Sequence, residues 1–185
     1  MGRLVYSMST SLDGFVADAA GSIDFVIVDE ELHEAFNEES RRADAFLYGR
    51  RMYELMTGYW PTAEADPAAS PAMRDFARIW GPKPKVVAST TLTEVGFNAR
   101  LIAGDVTTEV GRLKASIDGE LSVGGPTLAA TLLRAGLVDD IRMYVNPVVV
   151  GGGTPFLPPG LRLVLRLVDE RRFASGVVLL RCLSV

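Results

Sequence analysis

Short apolar runs alternate with stretches of helical period, and this alternation constrains the fold more than any other feature. "RLVYSMS" (Arg3–Ser9), "AFLYG" (Ala45–Gly49), "KVVAST" (Lys85–Thr90) and "ELSV" (Glu120–Val123) each read as a buried strand. "DEELHEAFNEESRRADA" (Asp29–Ala45) places Leu32, Ala35, Phe36 and Ala43 on one helical face, with acids crowding its first turn and arginines its last. "RRMYELMTG" reads as a helix stopping at Gly58, "AMRDFARIW" as one closed by Gly81-Pro82, and "DVTTEVGRLKAS" as one from Asp105 to Ser116. "YWPTAEADPAASP" (Tyr59–Pro71) has no period and reads as a loop, and "LVDDIRMYVNPVVV" (Leu137–Val150) as a long strand before the loop Gly151–Gly160. "LRLVLRLVDERRF" and "GVVLLRCLSV" close the chain as two antiparallel strands. The expectation is one α/β domain over residues 1–185, with a mainly parallel sheet flanked by helices and an antiparallel finish.

Composition excludes several classes. The 185 residues carry one Cys, Cys182, and one His, His33, so no disulfide framework or zinc cluster can be assembled within the chain. Net charge is −4 and the 19 Lys and Arg are dispersed, which argues against a nucleic-acid surface. No apolar run reaches the roughly 18 residues of a membrane span, and the start lacks a signal-peptide core. A soluble, cytoplasmic small-molecule protein without a metal is expected.

Parallel α/β sheets bind ligands at the carboxyl ends of their strands. Three junctions there carry unusual chemistry. At "AFLYGRR", Gly49 ends a strand and Arg50 and Arg51 open a helix; glycine lets backbone approach a phosphate, and guanidinium groups suit its oxygens. The same arginines can equally be a solvated helix start. At "STT", Ser89, Thr90 and Thr91 offer a row of hydroxyls, or a polar turn. At "VGGPTL", Gly124, Gly125, Pro126, Thr127 and Leu128 join a strand to a helix whose stripe is Leu128, Leu132 and Leu133. This is either an anion seat or a tight turn that needs positive φ.

Read with "SMSTSLDGFVA", "ADAFLYGRRMYE", "KVVASTTL", "VGGPTLAATLLRAGLVDDI" and "NPVVVGGGTPF", these junctions resemble the dihydrofolate reductase superfamily, in particular the reductase domain of riboflavin biosynthesis and its stand-alone relatives. The resemblance covers nearly the whole chain and implies a dihydrofolate-reductase-like fold. It also implies an NADPH-dependent reductase acting on a small, pterin- or pyrimidine-like heterocycle, and a homodimer. By position it implies that Gly49, Arg50 and Arg51 lie by the pyrophosphate and 2′-phosphate. Ser89, Thr90 and Thr91 would line the adenosine-phosphate end, and Gly124–Leu128 the pyrophosphate. Met8, Ser9, Val16 and Ala17 would border the nicotinamide. Asp13, Gly14 and Trp60 would flank the substrate, although Asp13-Gly14 is also a common turn pair and Trp60 can equally be core. Met52 stands where the family often has threonine. For the proton donor the candidates are Asp13 or a bound water, then Glu31 and Glu34 on the first helix. A non-catalytic nucleotide-binding protein and a flavin-binding reductase stay open as alternatives.

Overall fold

The computed structural model describes residues 2–102 and 104–185. Ten strands and five helices follow in the order β1 (Arg3–Thr10), β2 (Phe15–Ala17), α1 (Glu30–Arg42), β3 (Ala43–Gly49), α2 (Arg50–Ala63), α3 (Pro71–Trp80), β4 (Lys85–Ala88), β5 (Ala99–Leu101), α4 (Val106–Ser116), β6 (Glu120–Gly124), α5 (Pro126–Arg134), β7 (Asp140–Val145), β8 (Thr154–Pro155), β9 (Leu165–Arg172) and β10 (Val178–Ser184). Eight strands form one sheet in the order β5-β4-β3-β6-β1-β7-β10-β9, and β2 pairs with β8 in a small second sheet. Pairing is parallel from β5 across to β7, then antiparallel through β10 and β9. This is the mixed, mainly parallel sheet with an antiparallel finish that the sequence predicts.

Strand alternation divides the apolar residues between the two faces. Leu4, Leu47, Leu121 and Val123 pack with Val110 of α4 and with Leu128 and Leu132 of α5. Phe46, Tyr48 and Val87 pack with Tyr53 of α2 and with Phe76 and Trp80 of α3. Leu32 of α1 joins Tyr144 and Leu179 in a third cluster. The chain leaves β1 for β3 and returns later to lay β6 between them. That reversal opens a gap at the carboxyl ends of β1, β6 and β3, the place where such sheets bind ligands.

Four expectations about the elements need correction. The helix from Arg50 does not stop at Gly58 but runs to Ala63 with Pro61 inside it. Trp60 packs on Phe76 with ring centroids 4.4 Å apart, and this contact outweighs the weak helix propensity of the sequence. The loop therefore begins at Glu64, not at Tyr59. The strand expected over Leu137–Val150 is confined to Asp140–Val145, because Pro147 has no N–H for the ladder and the buried Asn146 side chain turns to bond Thr10 and Ile27. The strand expected to reach Thr90 ends at Ala88, where the Ser89 hydroxyl accepts from the Thr91 and Leu92 N–H groups and starts a turn. Finally, the strand expected over Leu161–Phe173 is confined to β9, Leu165–Arg172. It is the sheet edge, exposed along almost its whole length, and its charges, Arg166, Asp169, Glu170, Arg171 and Arg172, face a position where unguarded strands aggregate.

Candidate functional site

Two cavities open at the carboxyl ends of the parallel strands. The first, about 350 Å³, is lined by Arg50, Ala88, Ser89, Thr90, Thr91, Gly104 and Leu128, together with Ile102 and Val106. Arg50 is the first residue of α2, directly after β3, and Ser89 directly follows β4; parallel pairing of Gly49 with Ala88 sets the two side by side. The Arg50 guanidinium is half-exposed and bonds Glu54 one turn on, at 3.1 Å. Such an exposed pair is weak and can exchange for a ligand anion.

The junction between the cavities is the start of α5. Gly125 has φ +98 and caps the helix with no side-chain hydrogen bond to its first turn. A Cβ on Gly124 would lie 3.0 Å from the Tyr48 ring and 3.2 Å from Met52 Cγ, whereas one on Gly49 would make an ordinary contact, 3.8 Å, with Leu128 Cβ. Gly124 thereby lets the end of β6 approach β3 and the start of α2 closely. The positive φ also bears out the turn requirement at Gly125, so local geometry and access to the helix start are served by the same residue.

The second cavity, about 340 Å³, is lined by residues of several elements. Ser7, Met8 and Ser9 come from β1, Val16 from β2, Phe46 and Tyr48 from β3, and Ser122, Val123 and Gly124 from β6. The helices add His33, Phe36, Glu39 and Ser40 from α1, Met52, Met56 and Trp60 from α2, and Phe76 from α3. Trp60 both packs on Phe76 and faces the cavity, and the His33 ring meets Trp60 and Phe76 edge-on at 6.0 and 6.1 Å. Flat aromatic walls of this kind suit a planar ring.

Glu39 supplies the negative group of this cavity. Its Oε1 accepts from the Tyr144 hydroxyl at 2.7 Å and its Oε2 from Ser7 Oγ at 2.9 Å. Behind it the buried Arg142 guanidinium stands 3.6 Å away and reaches Glu120 and Asp140 at 3.2 and 3.0 Å. Asp140, fully buried, also accepts from Arg181 at 2.7 Å. Burial pulls the Arg142 guanidinium down, but its hydrogen bond to Asp140 and the charges of Glu39, Asp140 and Glu120 more than reverse this and raise it. Burial, reinforced by Glu39, pushes the Tyr144 hydroxyl up, so it stays a donor toward Glu39.

The structure brings Arg50, Ser89, Thr90, Thr91 and Leu128 to the first cavity and Met8, Ser9, Val16, Gly124 and Trp60 to the second. Gly49, Gly125, Pro126 and Thr127 form the junction beside them, whereas Arg51 is exposed on α2 and Ala17 pairs with Thr154 in the small sheet. The three acids named from sequence are not brought to either cavity. Asp13 is exposed and accepts from the Val150 and Gly151 N–H groups, tying two loops together with Gly14 at the turn. A hydrogen bond with Ser11, then those from the loop backbone, hold its carboxyl below the usual range despite some desolvation. Glu31 is committed to Arg171 and the Ala174 N–H, and Glu34 is exposed. Glu39 is the acid of this helix that faces the cavity, one of six in the segment Asp29–Glu39. The signal was present: Leu32, Phe36, Glu39 and Ala43 fall at i, i+4, i+7 and i+11, so Glu39 is an acid on the core-facing stripe.

Comparison with known proteins bears on this geometry. YyaP, an uncharacterized protein of Bacillus subtilis, is 33% identical over 178 residues, covering 95% of this chain and 92% of its own. The riboflavin biosynthesis protein RibD of Mycobacterium tuberculosis is 27% identical over 161 residues; the match covers 81% of this chain but only 43% of that one. Among solved structures, a Shewanella sp. PV-4 protein named for riboflavin biosynthesis superposes with TM-score 0.76 at 22% identity, over 100% and 99% of the two chains. A Thermotoga maritima diaminohydroxyphosphoribosylaminopyrimidine deaminase/5-amino-6-(5-phosphoribosylamino)uracil reductase gives 0.67 at 15%, over all of this chain and 57% of that one. The dihydrofolate reductase of Enterococcus faecalis, complexed with NADP(H), gives 0.61 at 13%, over 98% and 96%. These likenesses show a shared fold. The family model of the RibD C-terminal domain matches residues 3–179, and the chain belongs to that family.

Proposed function

We propose that this protein is an NADPH-dependent reductase that delivers hydride to a small, planar nitrogen heterocycle. The observation that carries the reading is the pairing of two unlike cavities across one glycine junction. One offers a guanidinium and three hydroxyls; the other offers aromatic walls and a carboxylate. The residues fit the cofactor. Arg50, Ser89, Thr90 and Thr91 would hold its phosphate-bearing end, and the uncapped start of α5 its pyrophosphate, with Met52 removing one hydroxyl from the set. NADPH supplies hydride when bound.

The chain's own residues orient the acceptor and exclude water. Trp60, Phe76 and Phe46 flank a flat ring, while Met8, Val16 and Met56 close the space around it. Glu39 Oε1, joined to the Tyr144 hydroxyl, is the atom at which a substrate N–H would be held or a proton exchanged. Asp13 is replaced in this role, because its carboxylate is spent on loop backbone. The cytoplasmic and homodimeric expectations belong to the same proposal; a monomeric mass by light scattering at micromolar concentration would remove the dimer. Among the described residues no helix is long and apolar enough to cross a membrane.

The test is a thermal-unfolding series with NADPH and NADH. NADPH at about 100 times its Kd should add about 2.7 kcal/mol. No shift with either nucleotide would refute the reading, and a shift without NADPH oxidation against any pterin or pyrimidine would reduce the protein to a nucleotide binder.

A further inference from the structure

His33 is the only histidine of the chain, and it lines the second cavity. Its ring stands edge-on to Trp60 and Phe76, at 6.0 and 6.1 Å, so it belongs to the aromatic wall. The charged group of the cavity is already engaged. Glu39 accepts from Ser7 and Tyr144, and Arg142 stands 3.6 Å behind it. The histidine is not engaged. Among the described residues its ring makes no hydrogen bond. Of the buried polar atoms without a partner, only His33 Nδ1 belongs to a residue of this cavity.

The burial of Nδ1 decides what the ring offers. A proton on Nδ1 would be a buried N–H with no acceptor, which gives up water and gains nothing. No acid of its own helix turns comes to it. Glu30 accepts from the Ala72 N–H, Glu31 from Arg171 and the Ala174 N–H, and Glu34 is exposed. A bare acceptor is the more tolerable orphan, so the neutral ring carries its proton on Nε2. Nε2 is the ring nitrogen that is not buried, and the accessible edge of the imidazole therefore presents an N–H without a protein acceptor.

We infer that His33 is a specificity-determining residue of the second cavity: its Nε2–H donates to a carbonyl oxygen or a bare ring nitrogen on the edge of a flat heterocycle lying against Trp60 and Phe76. A ring without an acceptor at that edge leaves the N–H desolvated and unpaired, which is how a polar site rejects an analogue. His33 and Glu39 are six residues apart on α1, about 9 Å of helix rise, so the histidine reads a different edge of the ligand from the carboxylate. This role rests on the reductase reading for the place of the ring in the second cavity, but not on NADPH binding.

Because the chain has one histidine, nitrogen-15 labelling of histidine in the untagged full chain gives the signals of a single imidazole. At about pH 8.5, above the ordinary imidazole range, they should report a proton on Nε2. The probe is 1,3-dimethyllumazine, a flat ring with carbonyl oxygens and bare ring nitrogens but no N–H, so it cannot donate to Glu39. Saturating probe should shift the Nε2 signal and slow exchange of its proton with water. In calorimetric titrations His33→Phe, which keeps an aromatic ring beside Trp60 and Phe76, should bind the probe about tenfold more weakly. His33→Gln, whose amide N–H takes the place of Nε2–H, should recover most of that loss. A proton on Nδ1, an Nε2 signal unmoved by the probe, or no binding of the probe would overturn the assignment without any variant having to fold. Equal affinity in His33→Phe, or an equal loss in His33→Gln, would overturn it as well. NADPH binding is followed separately by thermal shift. NADPH binding with a silent His33 defeats only the histidine's role, and a His33 response without NADPH binding defeats only the reductase reading.

Discussion

The two cavities lie side by side at the same sheet edge, yet they are assembled in different ways. The first takes most of its polar groups from contiguous pieces, Arg50 after β3 and Ser89-Thr90-Thr91 after β4. The second collects residues from seven elements, and its charged group is backed by an ion network running through β7 and β10. The first is exposed and held by weak contacts; the second is built into the packing of the domain. Substitutions in the first should therefore change ligand affinity more than stability, and substitutions behind the second should change both.

The largest effect is expected at Asp140. It is fully buried and bonded to both Arg142 and Arg181. Asp140→Asn leaves two guanidinium groups without their central partner and should cost about 3–5 kcal/mol, measured by urea unfolding. Burial raises this carboxyl, but the Arg181 and Arg142 hydrogen bonds and charges outweigh it and leave the group below the usual range. A lowered carboxyl contributes its full stability above the ordinary carboxylate range and loses it as pH falls through the lowered value. The variant should therefore lose less stability on acidification than the unmodified chain. An equal acid slope would show that Asp140 is not the linchpin of the network.

Trp60→Ala comes next. It removes a half-buried ring that packs on Phe76 and should cost about 2–3 kcal/mol, below the range for a fully buried tryptophan. It should abolish binding in the aromatic cavity while NADPH affinity changes less than threefold. Arg50→Ala should do the reverse. Its exposed pair with Glu54 is worth little, so stability should move by less than about 1 kcal/mol. Loss of a hydrogen bond to a charged phosphate is worth about 1.5–3 kcal/mol, so NADPH should bind roughly 10- to 150-fold more weakly. Equal losses of both ligands in either variant would mean that the cavities act as one.

The same contrast explains what could be read from the chain. β1, β3, β4 and β6 were legible because each is a short apolar run ended by glycine or hydroxyl residues, whereas the three-residue β5 carries no such pattern, and the Arg50, Ser89 and Gly124 junctions stood out because their chemistry is local. The aromatic cavity was less so. Trp60 lies beyond Gly58 in a stretch with poor helix propensity, where its contacts with Phe76 and His33 lie 16 and 27 residues away in sequence. Glu39 lies among five other acids of the same segment, and what sets it apart, its bonds to Ser7 and Tyr144, comes from residues 32 and 105 positions away in sequence. Asp13 shows the converse: a turn-like Asp-Gly pair is local in sequence, but its loop partners lie 137 and 138 residues away.

The smallest effect on affinity, and the sharpest division of roles, is expected at the junction itself. Gly125 has φ +98, and a Cβ there would meet nothing closer than Met52 Cβ at 3.5 Å, so Gly125→Ala introduces backbone strain without a clash. That strain should cost about 1–2 kcal/mol. Gly124→Ala inverts the cause: its φ is not positive, but the new methyl would press on the Tyr48 ring at 3.0 Å and force the aromatic cavity to give way. Measured well below both melting temperatures, Gly125→Ala should weaken NADPH severalfold by shifting the start of α5, and Gly124→Ala should weaken the ring ligand more than NADPH. If Gly125→Ala loses stability but binds NADPH normally, positive φ was the glycine's whole purpose, and the anion seat lies with Arg50 and the Ser89 turn alone.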